Sequence, residues 1–525
     1  MPRHVDTQRD NLTSGLTRRT LLKSSAASGL LLPFGRVALA QESTKSGGRL
    51  VVGLNAWTSS DTLDPGNFYD SNNALVGFAV YDLLVNRGPD LKPIPWLAES
   101  WESNGDGSEW VFKLRSGVTF HSGKTFGADD VIYTYSRLIG QDSTSPTKAF
   151  MSQIVEMTKD DDLTVRFKLS APNADLPITL SDTRVHIIEN GATEFLGKAS
   201  GTGPFRVKVF EPATSYIVER NPNYWGANGP YVDEIEYIGI ADSSARINAL
   251  LSGDVDIIMD VDPTAVPVLQ ADAGMVVLNA KSGAHVNVAM LLDMDPTANN
   301  DVRLAMKYAL DRQAIIDNVY KGFGTIGNDH PISPIDPFYN KELPQREYDP
   351  DKARFHIKKA GLEGATLPFY TSDAPRNGCI AATQVYQQSA AAAGINLDLI
   401  QVPSDSYWEK VWIKQPMLIS SWDGRPVPDL ILSIAYKSGG DYNETHWNNE
   451  AFDKLLVEGR ATVDFDKRYE IYGECQRMLQ DDGGVAVMAF LDVIDGHGSH
   501  VKGISAHPSG NLGFFQFATS VWIDA

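Results

Sequence analysis

The chain has 525 residues, 42% of them hydrophobic, and a formal net charge of −20. An acidic balance of that size excludes nucleic acid and anionic lipid as main partners unless a local basic patch offsets it, and the sequence carries no such patch. Two cysteines, Cys379 and Cys475, are too few for a disulfide scaffold.

Residues 1–40 read as an export leader. Thr17-Arg18-Arg19-Thr20-Leu21-Leu22-Lys23 resembles a twin-arginine motif, with Leu21 where Phe is usual. A short apolar stretch, Ala26 to Leu32, and the small-x-small site Ala38-Leu39-Ala40 follow. The stretch is far below the roughly 20 residues needed to span a bilayer, and no later segment approaches that length, so no span is expected after processing. No Cys stands at the cleavage site to take a lipid. The leader's six Lys and Arg against two Asp give it +4, so the 485 residues beyond it carry −24. That length exceeds the size of a single growing core and predicts at least two lobes.

Short strands alternate with amphipathic helices, which indicates an α/β or α+β chain. Arg49–Leu54 predicts an opening strand and Asn73–Leu84 a helix. Trp110–Leu114 and Val118–Phe120 flank a hairpin-like turn at Arg115-Ser116-Gly117, and Asp129 and Asp130 open a helix at its positive end. Asp301–Arg312 carries apolar residues at i, i+3, i+4, i+7 and i+8. Further helices are expected at Pro350–Ala360, Cys379–Ala393, Glu450–Glu458 and Asp466–Leu479, and strands at Thr366–Tyr370, Asn396–Ile400 and Val485–Ala489. Lys281-Ser282-Gly283 loosens the chain before Val286–Leu292 and marks the expected lobe boundary near 281–290. Cys475 falls on an apolar helical face and reads as a buried thiol, with a bridge to Cys379 left open.

Catalytic and cofactor motifs are missing. Gly117 to Thr125 evokes a phosphate loop but has five residues between its glycines where four are needed, and Gly201-Thr202-Gly203 lacks the third glycine of a dinucleotide fingerprint. No nucleophile elbow, His-Glu-x-x-His pair or Cys-x-x-Cys pair occurs, so no catalytic residue, cofactor or metal is assigned. His497 and His500 flank Gly498 in an expected loop without carboxylate or thiol support for a metal.

The stretch Tyr407 to Trp447 holds four of the ten tryptophans, Trp408, Trp412, Trp422 and Trp447, with Tyr436 and Tyr442 among charged residues. Aromatic walls with a few polar groups suit a closing ligand cleft, which excludes water and strengthens charged contacts inside. Ordinary core packing is the competing reading, and for Trp412 and Trp447 it is preferred.

Leu63-Asp64-Pro65, Leu97-Ala98-Glu99-Ser100-Trp101, Trp110 to Lys124, Phe126 to Tyr135, Gly201-Thr202-Gly203-Pro204-Phe205, Asn221-Pro222-Asn223-Tyr224-Trp225, Asp301 to Ala305 and Ala309 to Arg312 form an ordered set of landmarks. Together they resemble the large extracytoplasmic solute-binding proteins of ABC importers, family 5, the dipeptide-, oligopeptide- and nickel-binding type. The resemblance implies a two-lobed periplasmic binding protein of class II type, a large clamshell with an extra subdomain in lobe I. Its expected parts are lobe I over 41–284 with the subdomain at about 85–195, lobe II over 285–490, and a return to lobe I over 491–525. It also implies a monomeric, non-enzymatic periplasmic subunit that hands a short peptide or peptide-like solute to an ABC permease and its ATPase subunits. An opine, an amino-acid conjugate, an oligosaccharide or a chemoreceptor-type role are the alternatives.

In peptide-binding relatives a Trp followed three residues later by an acid lines the cleft, and the acid pairs with the ligand ammonium. Trp422 matches that Trp and Trp408 a second cleft aromatic upstream, but the position three after Trp422 is Arg425. Exchanging an anion for a guanidinium reverses the ligand charge that is tolerated and suits a carboxylate or phosphate through a bidentate fork. The expected ligand residues are Trp408, Trp422, Asp423, Arg425, Asp429 and Tyr436. The alternative is that Arg425 pairs with Asp423 or Asp429 and faces no ligand.

Overall fold

A computed structural model describes residues 44–195, 197 and 199–524. The expected leader, residues 1–40, lies outside the described residues. Among the described residues the largest sheet has 11 strands. From one edge it runs Asn396–Gln401, Thr366–Thr371, Met417–Trp422, Met275–Met290, Val485–Gly498, Ile257–Ile258, Arg49–Leu54, Glu234–Gly239, Ser215–Arg220 and Phe205–Glu211, with Gly324–Ile326 pairing aside on Val485–Gly498. Arg49–Leu54 matches the expected strand, and its Leu50, Val52 and Leu54 are fully buried.

Two lobes share this sheet. One apolar core draws on residues between Leu50 and Met259 and again between Val501 and Val521, so the chain's later part returns to pack on its earlier part. Two further cores take residues between Val286 and Leu491. The long antiparallel strands Met275–Met290 and Val485–Gly498 join the halves. A separate four-stranded antiparallel sheet, Ala98–Ser103, Glu109–Leu114, Thr164–Leu169 and Ile154–Asp161, packs beneath the helix Ala128–Ile139 and belongs to the first core. Asp129 and Asp130 lie in that helix's first turn as expected, and Asp130 accepts from Gly127 N at 3.0 Å. No helix among the described residues is long and apolar enough to cross a membrane.

Four local expectations are corrected. The helix expected over Asn73–Leu84 spans Ser71–Val80 and ends where Tyr81 turns extended, because Gly201 and Gly203 pack directly on the Val80 backbone. Val118–Phe120 forms no strand, since both edges of Glu109–Leu114 are already taken by Ala98–Ser103 and Thr164–Leu169. The strand through Lys281-Ser282-Gly283 is unbroken from Met275 to Met290, and the loosening there is a shift of register between Lys281 and His285. His497 sits buried within Val485–Gly498 instead of a loop, and His500 beyond it meets Asp256 at 2.8 Å. Cys379 and Cys475 are buried free thiols in different cores.

Candidate ligand cleft

The register shift in Met275–Met290 builds the floor of the cleft. Ser282 Oγ donates to Leu491 O at 2.7 Å and accepts from Ala284 N at 3.0 Å, which pins the bulged turn to the neighbouring strand. Gly283 and Gly424 approach so closely that a Cβ on either would meet the other's backbone at 3.2 Å. Two glycines are therefore needed for the loop after Met417–Trp422 to cross the bulge, and that crossing carries Asp423 and Arg425 to the cavity wall.

The cavity holds about 390 Å³ and takes its walls from both lobes. A neighbouring one of about 570 Å³ shares Asp260, Arg376, Leu491 and Asp492 with it. On the first lobe's side, Arg87 is held by Ser181 Oγ at 3.2 and 2.9 Å and packs over the Phe514 ring at 4.8 Å. Burial pushes that guanidinium down to about 10, against the opposing charge of Asp182. On the second lobe's side, Arg376 pairs with Asp423 at 2.6 Å and donates to Ser421 Oγ at 3.1 Å. Arg425 is exposed and makes no ion pair among the described residues. Burial raises Asp336 to about 7, opposed by its hydrogen bond from Phe338 N and reinforced by the charge of Asp175. Burial also depresses His285 to about 4, so the ring is neutral at ordinary pH.

The lobes also meet beside the cavity. Asp175, just before Leu176 of the first core, receives a hydrogen bond from Arg468 of the helix Phe465–Asp482 at 2.5 Å, with both side chains more than nine-tenths buried. Ala174 N donates to Arg460 O at 2.9 Å next to that pair. Burial raises Asp175 above the usual carboxylate range, and the Arg468 charge opposes that shift.

Of the six expected ligand residues, Asp423 and Arg425 line the cavity and four lie outside its lining. Trp422 ends its strand against the core of Tyr436 and Phe490, with its ring 6.3 Å from Trp412. Trp408 is 47% exposed and packs edge-on against Tyr407 and Trp412. Asp429 is buried in an ion pair with Arg460 at 2.8 and 3.0 Å. Tyr436 is wholly buried and donates to Glu444 Oε1 at 3.1 Å. Sequence reasoning missed Arg87, Asp260, His285, Asp336, Arg376 and Asp492. Only Asp492 left a readable signal, as one acid within the apolar run Phe490-Leu491-Asp492-Val493-Ile494. No group of three or more His, Cys, Asp or Glu among the described residues is placed to hold a metal ion.

The arrangement surrounds the cavity with fixed charges of both signs, which suits recognition of a charged solute. Known proteins of similar sequence agree with that character. The Di/tripeptide-binding protein 1 of Pseudomonas aeruginosa strain UCBPP-PA14 is 27% identical over 464 residues, covering 81% of this chain and 86% of its own. The Dipeptide-binding protein of Escherichia coli K12 is 26% identical, covering 86% and 90%. Among solved structures, the ABC transporter substrate-binding protein CtaP of Listeria monocytogenes superposes with a TM-score of 0.82 at 20% identity, covering 92% of this chain and all of that one. The agropinic acid complex of the binding protein AgaA from A. tumefaciens R10 gives 0.72 at 24% identity, covering 91% and 99%. Residues 92–444 match the family described as bacterial extracellular solute-binding proteins, family 5. With a charged cavity walled by both lobes and a family match across most of its length, the chain belongs to the family 5 bacterial extracellular solute-binding proteins.

Proposed function

We propose that the chain is the periplasmic substrate-binding subunit of an ABC importer, a monomer that captures a short peptide or peptide-like solute and presents it to the permease without altering it. The observation that carries this reading is the cavity itself, enclosed by both lobes and lined by Arg376, Arg425, Asp260 and Asp492. Charges of both signs in one small space match a zwitterion, and about 390 Å³ lies within the roughly 300–1,000 Å³ of small-ligand sites. The names of the di- and tripeptide-binding relatives support the same class. The unpaired Arg425 favours one second reading, an opine-like amino-acid conjugate with an added carboxylate, as in the agropinic acid complex of AgaA.

A thermal-shift panel of di-, tri- and tetrapeptides and opine-type conjugates on the protein lacking residues 1–40 tests the reading. A solute that binds only the native state stabilises it by RT ln(1 + [L]/Kd), about 2.7 kcal/mol at 100 times Kd. A panel without any shift, or one member returned chemically changed, overturns the proposal. Export through the twin-arginine route is tested by fractionating cells that carry Arg18→Lys with Arg19→Lys. Undiminished delivery of that double variant to the periplasm would refute the route.

A further inference from the structure

The cavity contains buried acceptors that the protein itself leaves without donors. Asp492 has a side chain only 1% exposed. One of its oxygens receives Lys281 Nζ at 3.0 Å, while Oδ1 is buried without a partner among the described residues. His285 Nδ1 lies 3.1 Å from Gly283 O. That carbonyl can only accept, so the ring proton is on Nδ1 and Nε2 carries a lone pair. Nε2 is also buried without a partner among the described residues, as is Ser509 Oγ. All three residues line the same cavity. Buried polar groups are ordinarily satisfied, and an unsatisfied one costs its full desolvation, so donors for these three are to be supplied by what fills the cavity, solvent or a bound solute that displaces it.

Position on the strands separates Asp492 from the guanidinium, with His285 standing nearer the Arg425 end. His285 stands opposite Trp422, two residues before the Gly424 crossing, whereas Asp492 stands opposite Lys281. Because of the register shift, His285 faces Phe490 while Lys281 faces Asp492, two residues further along the partner strand, about 7 Å at 3.3 Å each. A di- or tripeptide, at about 3.5 Å per residue, covers about 7 to 11 Å.

We propose that Asp492 is the ammonium-binding residue of this site, with His285 and Ser509 taking further N–H donors, while Arg425 receives the carboxylate at the other end of the solute. The ligand class is a zwitterion of two or three residues with a free amino group, held in the opposite sense to the Trp-plus-acid arrangement that the peptide-binding resemblance implies. This assignment rests on the peptide reading above.

The test uses the protein without residues 1–40, a panel of di- and tripeptides, and each binder's N-acetylated counterpart, with affinities from titration calorimetry. N-acetylation removes the positive charge while keeping the chain length. Wild-type protein is expected to lose tenfold or more in affinity on N-acetylation, and Asp492→Asn to lose tenfold or more for the free amine while barely distinguishing the two forms. Lys281→Met, which keeps the carboxylate, is expected to retain the discrimination, and melting without ligand checks that each variant is folded. Equal discrimination in wild type and Asp492→Asn overturns the assignment and leaves the peptide reading standing. If no peptide binds wild type, the peptide reading falls and this assignment with it.

Discussion

Arg468→Met should convert closure of the lobes into a proton-dependent step. The substitution leaves Asp175 facing the closed interface without its cation, and its second oxygen is already buried without a partner. Breaking a buried pair from one side costs about 3–5 kcal/mol. The loss is capped by neutralisation, because Asp175 can take a proton on closing. For a carboxylate of ordinary pKa near 3.9, that costs about 4 kcal/mol at pH 7 and about 1.5 kcal/mol at pH 5. At 1.4 kcal/mol per tenfold, solute affinity should fall by up to about a thousandfold at pH 7 and about tenfold at pH 5 relative to wild type. The sign follows from linkage, since an acid whose pKa rises on closing binds a proton, and falling pH then favours the closed state. Asp429, Arg460, Asp336 and Tyr472 surround the pair and are common to both proteins, so comparison with wild type at each pH cancels their titration to first order. Titration calorimetry at the two pH values reads the effect, and Asp175→Asn combined with Arg468→Met should recover most of the affinity. An equal loss at both pH values, or none, would refute the reasoning.

Arg425→Ala should lower affinity for a carboxylate-bearing solute by tenfold or more and leave melting without ligand unchanged, because the side chain is exposed and unpaired. Trp408→Ala should leave calorimetric affinity within about twofold, since the ring lies outside the cavity lining. Lys307 is fully buried, donates to Leu479 O and Gln480 O, and is pushed down by burial to about 7. Its unfolded-state pKa is near 10.4, so stability in urea should rise between about pH 7 and 10 by up to 1.4 kcal/mol per pH unit, and Lys307→Met should flatten that rise. Burial raises both Cys379 and Cys475 to about 12, so iodoacetamide should modify neither in the native protein and both after denaturation, as read by intact mass.

Periodicity resolved the regular elements well. The helices expected at Pro350–Ala360 and Cys379–Ala393 are present as Pro350–Lys359 and Cys379–Ala392, because their apolar faces pack on one core at helical spacing. Boundaries failed where a partner decided them, as at Val80, stopped by two glycines over a hundred residues away. The ligand cleft was less legible for a similar reason. Tryptophans at Trp408 and Trp422 look the same in sequence whether they face a cavity or a neighbouring ring, and here Trp412 is the neighbour of both. Asp429 looked free to meet a ligand, yet Arg460, 31 residues later, closes on it. Asp423 and Arg425 could be anticipated from a local motif, whereas Arg87, Asp260 and Arg376 reach the cavity only through the assembled sheet and the loops around it.

The bulged crossing between the lobes has a practical consequence. Residues Ser282–His285 and Leu491–Val493 both run between the lobes and line the cavity, so a bend of the lobes at this stretch would reshape the wall that a solute touches. Fluorophores placed on either side of that stretch, at exposed Phe355 and Tyr69, would report solute uptake as a change in energy transfer, making the protein its own gauge of what it has captured.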